Sequence, residues 1–182
     1  MAKLEITEIV AATGGRLVWG SNEAGITSIE TDSRKAGAGS LFVPVIGERV
    51  DGHRFLVSAL EGGAAAVLTS RHPDKEAVKQ ELGSVENQKE AAWIYVEATV
   101  KALQDIGAFC RRKIKVPVIG VTGSVGKTTT REMMACALSG GYHRVFKTSG
   151  NHNSQVGVPI TLFQVEPEDQ IAALELGMSL PG

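Results

Sequence analysis

The chain has 182 residues, of which 43% are hydrophobic and 21% charged, with a formal net charge of −1. Such values suit a soluble globular protein with room for one large domain, or one small domain and part of another. The near-neutral charge gives no reason to expect a nucleic-acid or acidic-membrane partner, and no apolar run is long enough to span a bilayer. The N-terminal residues carry Glu5 and Glu8 where a signal peptide would carry its apolar core, so a cytoplasmic protein is expected. Cys110 and Cys136 lie far apart within helical patterns and read as small core residues, not as a disulfide or metal pair. The four histidines have no ligand-like spacing, and no structural zinc is expected.

In chain order, Thr7 is a candidate cap for a short helix over 8–12, stopped by Gly14 and Gly15. Short strands are expected over 16–19 and 26–29, the second running into Thr31, Asp32, Ser33 and Arg34. By itself the Asp32–Arg34 stretch reads as an Asx-type turn leaving a strand. A turn over 37–40 leads to an apolar strand over 41–45, then a polar loop over 47–53 with two glycines. A helix over 54–60 closes at Gly62 and Gly63, and 64–69 reads as a buried strand. Residues 73–82 form a charged surface helix with Pro73 in its first turn, 83–92 a loop, and 93–96 a strand. Thr99 caps a helix to about 113, with Val100, Leu103, Ile106 or Gly107, and Cys110 on one face. Its last turn, Arg111, Arg112 and Lys113, suits the negative end of the helix dipole and reads first as a solvated helix end.

Strands alternating with helices imply a mainly parallel sheet flanked by helices, with a boundary near 113–115 between two α/β units. In the second unit, 116–121 is a buried strand, 127–138 a helix, and 145–148 a strand. A helix over 153–163 is interrupted by Pro159, and 171–176 is the last strand. That is few strands for a nucleotide-binding sheet, which usually has about five. An unfinished sheet would expose an unpaired edge and invite self-association.

The turn at 122–128 reads Thr-Gly-Ser-Val-Gly-Lys-Thr between the strand and the helix. Its backbone N–H groups and the helix N-terminus behind them make a site for a polyphosphate. Gly123 and Gly126 let the chain turn tightly and approach the phosphates. Lys127 supplies positive charge to the outer phosphates, and the Thr128 hydroxyl is placed for a magnesium ion. The general P-loop pattern has Gly five residues before its Gly-Lys pair, where this chain has Val121, so the match is to a sub-pattern.

Four stretches in order extend the match. They are Thr31 to Arg34 with 39–43 and 47–53; Thr99 with 102–104; 120–130; and 147–159 with 175–179. Together they resemble the Mur ligase family over nearly the whole chain. The resemblance implies an N-terminal Mur-ligase-type α/β domain over 1–114, followed over 115–182 by the start of a P-loop, Rossmann-like ATP-binding domain. It implies an ATP- and Mg2+-dependent ligase that adds D-alanyl-D-alanine to UDP-N-acetylmuramoyl tripeptide through an acyl phosphate.

Carried over by the resemblance, Gly123, Ser124, Val125, Gly126, Lys127, Thr128 and Thr129 bind ATP. Thr128 and Glu175 hold the metal, and Lys127 and Glu175 serve catalysis. Ser33 and Arg34 lie near the uridine diphosphate, with Gly47 and His53 as weaker candidates. His53 reads equally well as a polar residue at a helix start. Asn151 and Asn153 face the sugar-nucleotide substrate or the metal region. Two departures stand out: Val125 replaces the usual Asn, and His152, Ser154 and Gln155 interrupt an Asn-rich run.

The family's second magnesium-binding His, its carbamylated Lys and its C-terminal domain would lie beyond Gly182. The chain is therefore expected to be the front part of a longer protein, inactive by itself. Rival readings are an amino-acid-adding ligase of the same family, a non-catalytic UDP-sugar-binding module, and an unrelated P-loop NTPase.

Overall fold

A computed structural model describes residues 4–83, 90–150 and 152–177. Two units divide between Ile106 and Gly107, inside a helix and a turn or two before the 113–115 stretch named above.

The first unit opens with β1 (Leu4–Glu5) and α1 (Ile6–Thr13). The helix begins earlier than Thr7 suggests. Ile6 and Ile9 are both fully buried, and the Glu5 amide donates to the Glu8 carboxylate at 3.1 Å, closing the first turn. Gly14, in the left-handed region at φ 64°, ends it.

β2 (Arg16–Trp19), β3 (Gly25–Ile26), β4 (Ser28–Glu30), β5 (Ser40–Phe42), β6 (Ala66–Thr69) and β7 (Ala92–Tyr95) follow. β1 pairs antiparallel with β3. The others form one sheet in the order β2-β7-β6-β5-β4, parallel except for β2 against β7. All four residues of β6 are buried, which explains its continuous apolar run. The helices of this unit are α2 (Leu56–Glu61) and α3 (Lys75–Leu82), with α4 (Thr99–Lys113) beginning in it. Phe42, Leu56, Val67, Val78 and Trp93 form the core that α2 and α3 cover.

Further helix starts in this unit differ from the sequence reading. Asp74 caps α3 by accepting from the Glu76 and Ala77 amides, which leaves Pro73 just outside the helix. Thr99 is buried, and its hydroxyl donates to the Pro44 carbonyl at 2.6 Å, tying α4 to the end of the β5 segment.

The second unit contains β8 (Val118–Val121), α5 (Lys127–Leu138), β9 (Val145–Lys147), α6 (Gly157–Gln164) and β10 (Ile171–Glu175). Its sheet is parallel in the order β8-β10-β9, so the last strand is inserted between the two earlier ones. All five residues of β10 are buried, and Ala172 and Leu174 pack with Val116 and Val165. Among the described residues β8 and β9 each pair on one side only.

Pro159 does not interrupt α6. The helix starts at Gly157, so Pro159 falls in the first turn, where its missing N–H costs nothing. Cys110 is buried, but Cys136 is exposed on α5 and is not a core residue. No helix among the described residues is long and apolar enough to cross a membrane.

Gly157 is held close by its neighbours: a Cβ there would sit 2.6 Å from the backbone of His152. Gly157→Ala should therefore destabilise the chain by about 1–3 kcal/mol through overpacking. Gly141, which has open space around it, should accept Ala with a change of at most about 1 kcal/mol, in the stabilising direction. Urea unfolding midpoints of the two variants check the contrast.

Candidate functional site

The site in the second unit is assembled where β8 and β10 end. Val121 closes β8 beside Glu175, which closes β10 in the paired register. After Val121 the chain turns through Gly123 (φ 147°) and Gly126 (φ 78°), conformations that L side chains rarely adopt, and α5 starts at Lys127. Among the described residues, no amide of 123–129 donates to a backbone carbonyl; the first loop-to-helix bond is Thr130 N to Gly126 O, 2.9 Å. A turn with its N–H groups unspent at a helix N-terminus fits an anion.

Gly126, Lys127, Thr128, Thr129, Asn153 and Glu175 line one cavity of about 390 Å³. Lys127 Nζ donates to the Gly123 carbonyl at 2.8 Å, which keeps the ammonium over the turn and out of apolar packing. Val125 is 90% exposed at the turn's tip, and Ser124 is exposed beside it.

Glu175 is 3% exposed and its carboxylate is fully engaged. Oε2 accepts from Thr128 Oγ1 at 2.9 Å and from Arg131 Nη1 at 3.3 Å. Oε1 accepts from Asn153 Nδ2 at 2.7 Å. Its backbone amide donates to Thr148 Oγ1 at 3.0 Å, and Thr148 is itself buried. Asn153 is anchored in turn, because its carbonyl accepts from the Gly177 amide at 2.7 Å. Arg131 also donates to Glu132 Oε1 at 2.6 Å, and Lys147 donates to the other oxygen of Glu132. Those two cations, Lys147 first, hold the Glu132 carboxyl below its ordinary range.

A hydroxyl and a carboxylate side by side, next to a run of free amides, are oxygen ligands suited to a hard divalent cation carried on phosphates. The residues present therefore fit both ATP and magnesium. Asn151 lies outside the described residues.

The first unit holds the other candidates. Ser33 and Arg34 sit on a 3-10 turn, Ser33–Lys35, that Asp32 caps by accepting from the Arg34 amide at 3.1 Å. Arg34 also donates to Asp32 from Nε at 2.9 Å and from Nη2 at 2.6 Å, while its side chain stays 87% exposed. The Arg34 guanidinium pulls the Asp32 carboxyl down to about 2. The Asx-type turn is thus what presents Arg34. The Gly47 amide donates to the Val50 carbonyl at 2.9 Å in a tight exposed loop.

His53 has a different place. It is buried, Asp51 Oδ1 accepts from its amide at 2.9 Å and lies 2.7 Å from Nδ1, and Nε2 accepts from the Ser70 amide at 3.1 Å. Both ring nitrogens are spent inside the unit, so His53 braces the loop. Burial works to raise the Asp51 carboxyl, but the His53 bonds and Arg71 prevail and hold it below its ordinary value.

Sequence reasoning did not single out Arg131, Thr148 or Glu132. Arg131 had a signal: it stands three residues after Thr128, on the same face of α5. Thr148 had none, since its role depends on β9 lying beside β10.

The chain matches two family models, the Mur ligase family catalytic domain over residues 25–111 and the Mur ligase middle domain over residues 121–182. It is 42% identical over 158 residues to a UDP-N-acetylmuramoyl-tripeptide–D-alanyl-D-alanine ligase of Synechocystis sp., covering 87% of this chain and 32% of the relative. It is also 42% identical over 158 residues to the ligase of that name from Bacillus subtilis, covering 86% of this chain and 32% of the relative. Among solved structures, MurF from Acinetobacter baumannii superposes with a TM-score of 0.81 at 32% identity, covering 98% of this chain and 36% of that one. The MurF ligase of Thermotoga maritima in complex with ADP superposes at 0.67 with 32% identity, covering 85% of this chain and 33% of that one. The chain thus spans about a third of the length of these relatives.

Thr148→Val keeps the side-chain shape but removes the acceptor of the buried Glu175 amide. It should cost about 1–3 kcal/mol, the penalty of an unsatisfied buried donor. Chemical denaturation checks it, with an unchanged unfolding midpoint as the contrary result.

Proposed function

This chain belongs to the Mur ligase family, and on that premise we propose that it forms part of an ATP-dependent amide-forming ligase of peptidoglycan precursor synthesis. The reaction is addition of D-alanyl-D-alanine to UDP-N-acetylmuramoyl tripeptide, the substrates named for its relatives. One observation carries the reading: Thr128 Oγ1 and Glu175 Oε2 lie 2.9 Å apart in a cavity walled by residues 126–129.

We assign residues 1–114 to the sugar-nucleotide and residues 115–182 to ATP. Bound ATP supplies the phosphoryl group that activates the substrate carboxylate, and magnesium supplies charge neutralisation for that transfer. The chain's own residues do the rest. The amides of 123–129 hold the phosphate oxygens, and Lys127 moves from the Gly123 carbonyl to the outer phosphates. Thr128 and Glu175 hold the cation, with Asn153 keeping the Glu175 carboxylate aimed. In the first unit Arg34, presented by the Asp32 turn, pairs with the diphosphate of the sugar-nucleotide. His53 supports the loop without contacting it. The exposed thiol of Cys136 suits a reducing compartment, and a cytoplasmic setting is part of this proposal.

Calorimetric titration of the 182-residue chain tests the assignment. Mg·ADP binding is expected, and Lys127→Ala should weaken it about 10- to 100-fold, the worth of one charged hydrogen bond. UDP-N-acetylmuramoyl tripeptide should bind independently, and Arg34→Ala should weaken it by a similar factor while leaving ADP unaffected. Sugar-nucleotide binding with no ADP binding would favour a binding module without ligase chemistry. ADP binding with no response to the uridine nucleotide would favour an unrelated NTPase.

A further inference from the structure

Arg131 is 4% exposed and has no place in the reading above. Its contacts are uneven. Nη1 is shared between Glu175 Oε2 at 3.3 Å and the Gly150 carbonyl at 3.2 Å, both long, while Nη2 makes a short bond to Glu132. Its Nε is buried with no acceptor among the described residues. A guanidinium placed for its hydrogen bonds would spend its full fork of donors. This one leaves a donor unspent, and what it brings to Glu175 is charge.

That charge falls on a particular atom. Oε2 is the oxygen that also accepts from Thr128, so Arg131 faces the same carboxylate oxygen as the hydroxyl of the proposed metal pair. Among the described residues, Lys127 and Glu175 are the charged groups lining the cavity, and Arg131, Glu132 and Lys147 join Glu175 through a chain of ion pairs, three cations against two carboxylates in all. A bare divalent cation approaching Oε2 meets repulsion at short range, whereas the same cation carried on a polyphosphate brings negative charge in excess.

We propose that Arg131 is a positioning residue acting through Glu175. It is the resident counter-cation of that carboxylate: it keeps the buried charge compensated and makes the divalent metal enter together with nucleotide phosphates, not ahead of them. The inference rests on reading Thr128 and Glu175 as the metal pair.

Mn2+ is the probe, titrated into the 182-residue chain by electron paramagnetic resonance, alone and with ADP, at fixed ionic strength. The unsubstituted chain should bind Mn2+ weakly alone and tightly with ADP. Arg131→Gln should bind Mn2+ alone about tenfold tighter or more, and its gain on adding ADP should shrink by the same factor. Arg131→Lys keeps the charge and should stay within about threefold of the unsubstituted chain. A merely structural arginine predicts the opposite sign, with metal binding lost as the fold loosens. Unchanged or weaker binding of Mn2+ alone by folded Arg131→Gln overturns the inference.

Should Arg131→Gln not fold, Glu132→Gln carries the test. It leaves Arg131 with Glu175 as its remaining carboxylate partner and should weaken Mn2+ alone about threefold or more, and no change there overturns the inference. If the unsubstituted chain fails to bind Mn2+ even with ADP, the metal-pair reading itself falls, and this inference with it.

Discussion

The second unit depends on one buried carboxylate. Glu175 ends the central strand of its sheet, nearly sealed from solvent, and burying such a charge unpaired would cost several kcal/mol. Thr128, Arg131 and Asn153 all donate to it, from two segments widely separated in sequence. Each donor is fixed by the demand that the carboxylate be satisfied. Thr128 and Arg131 set the rotation of α5 against β10, and Asn153 sets the path of the chain entering α6. The glycine turn is thereby aimed, because its last residue leads directly into α5.

The same arrangement couples fold to chemistry. An oxygen that orders a helix by accepting from a hydroxyl is also a suitable ligand for a hard cation. The turn's free amides cost nothing while exposed to water, and at a helix N-terminus they are disposed to take phosphate oxygens. In the first unit the parallel is the Asp32 turn, which orders a short loop by a local side-chain bond and leaves Arg34 exposed at its end.

Much of this was legible in the residues. The apolar runs of β6 and β10 and the 127–138 helix follow from patterning, and the turn at 122–128 announces itself by its glycines and Lys127. Local competition hid other features. Ile6 drew α1 back past Thr7, Asp74 displaced Pro73 from the helix start, and Gly157 let α6 begin late enough to admit Pro159. Distance hid the rest. Thr128 and Glu175 are 47 positions apart, with β9 and α6 between them, and no periodicity joins them. They meet because β10 inserts between β8 and β9, and only family resemblance suggested their pairing beforehand. Thr148 was missed for the same reason, since a hydroxyl just past β9 gains meaning only when the strand order is known, whereas Arg131 could have been found from its place one helical turn after Thr128. For His53 the residues left two readings open, a ligand or a polar residue at a helix start, and its place on the 3-10 turn capped by Asp51, with its ring spent on Asp51 and Ser70, fits the second.

The central claim is that the turn before Lys127 and the carboxylate of Glu175 form one nucleotide-phosphate and metal site. Anomalous diffraction from crystals of the chain grown with manganese and ADP tests it most directly. The account predicts an anomalous peak within coordination distance of Thr128 Oγ1, in contact with Glu175 directly or through one water, with the ADP phosphates on the amides of 123–128. A manganese peak elsewhere, or ADP bound away from the turn, would contradict it.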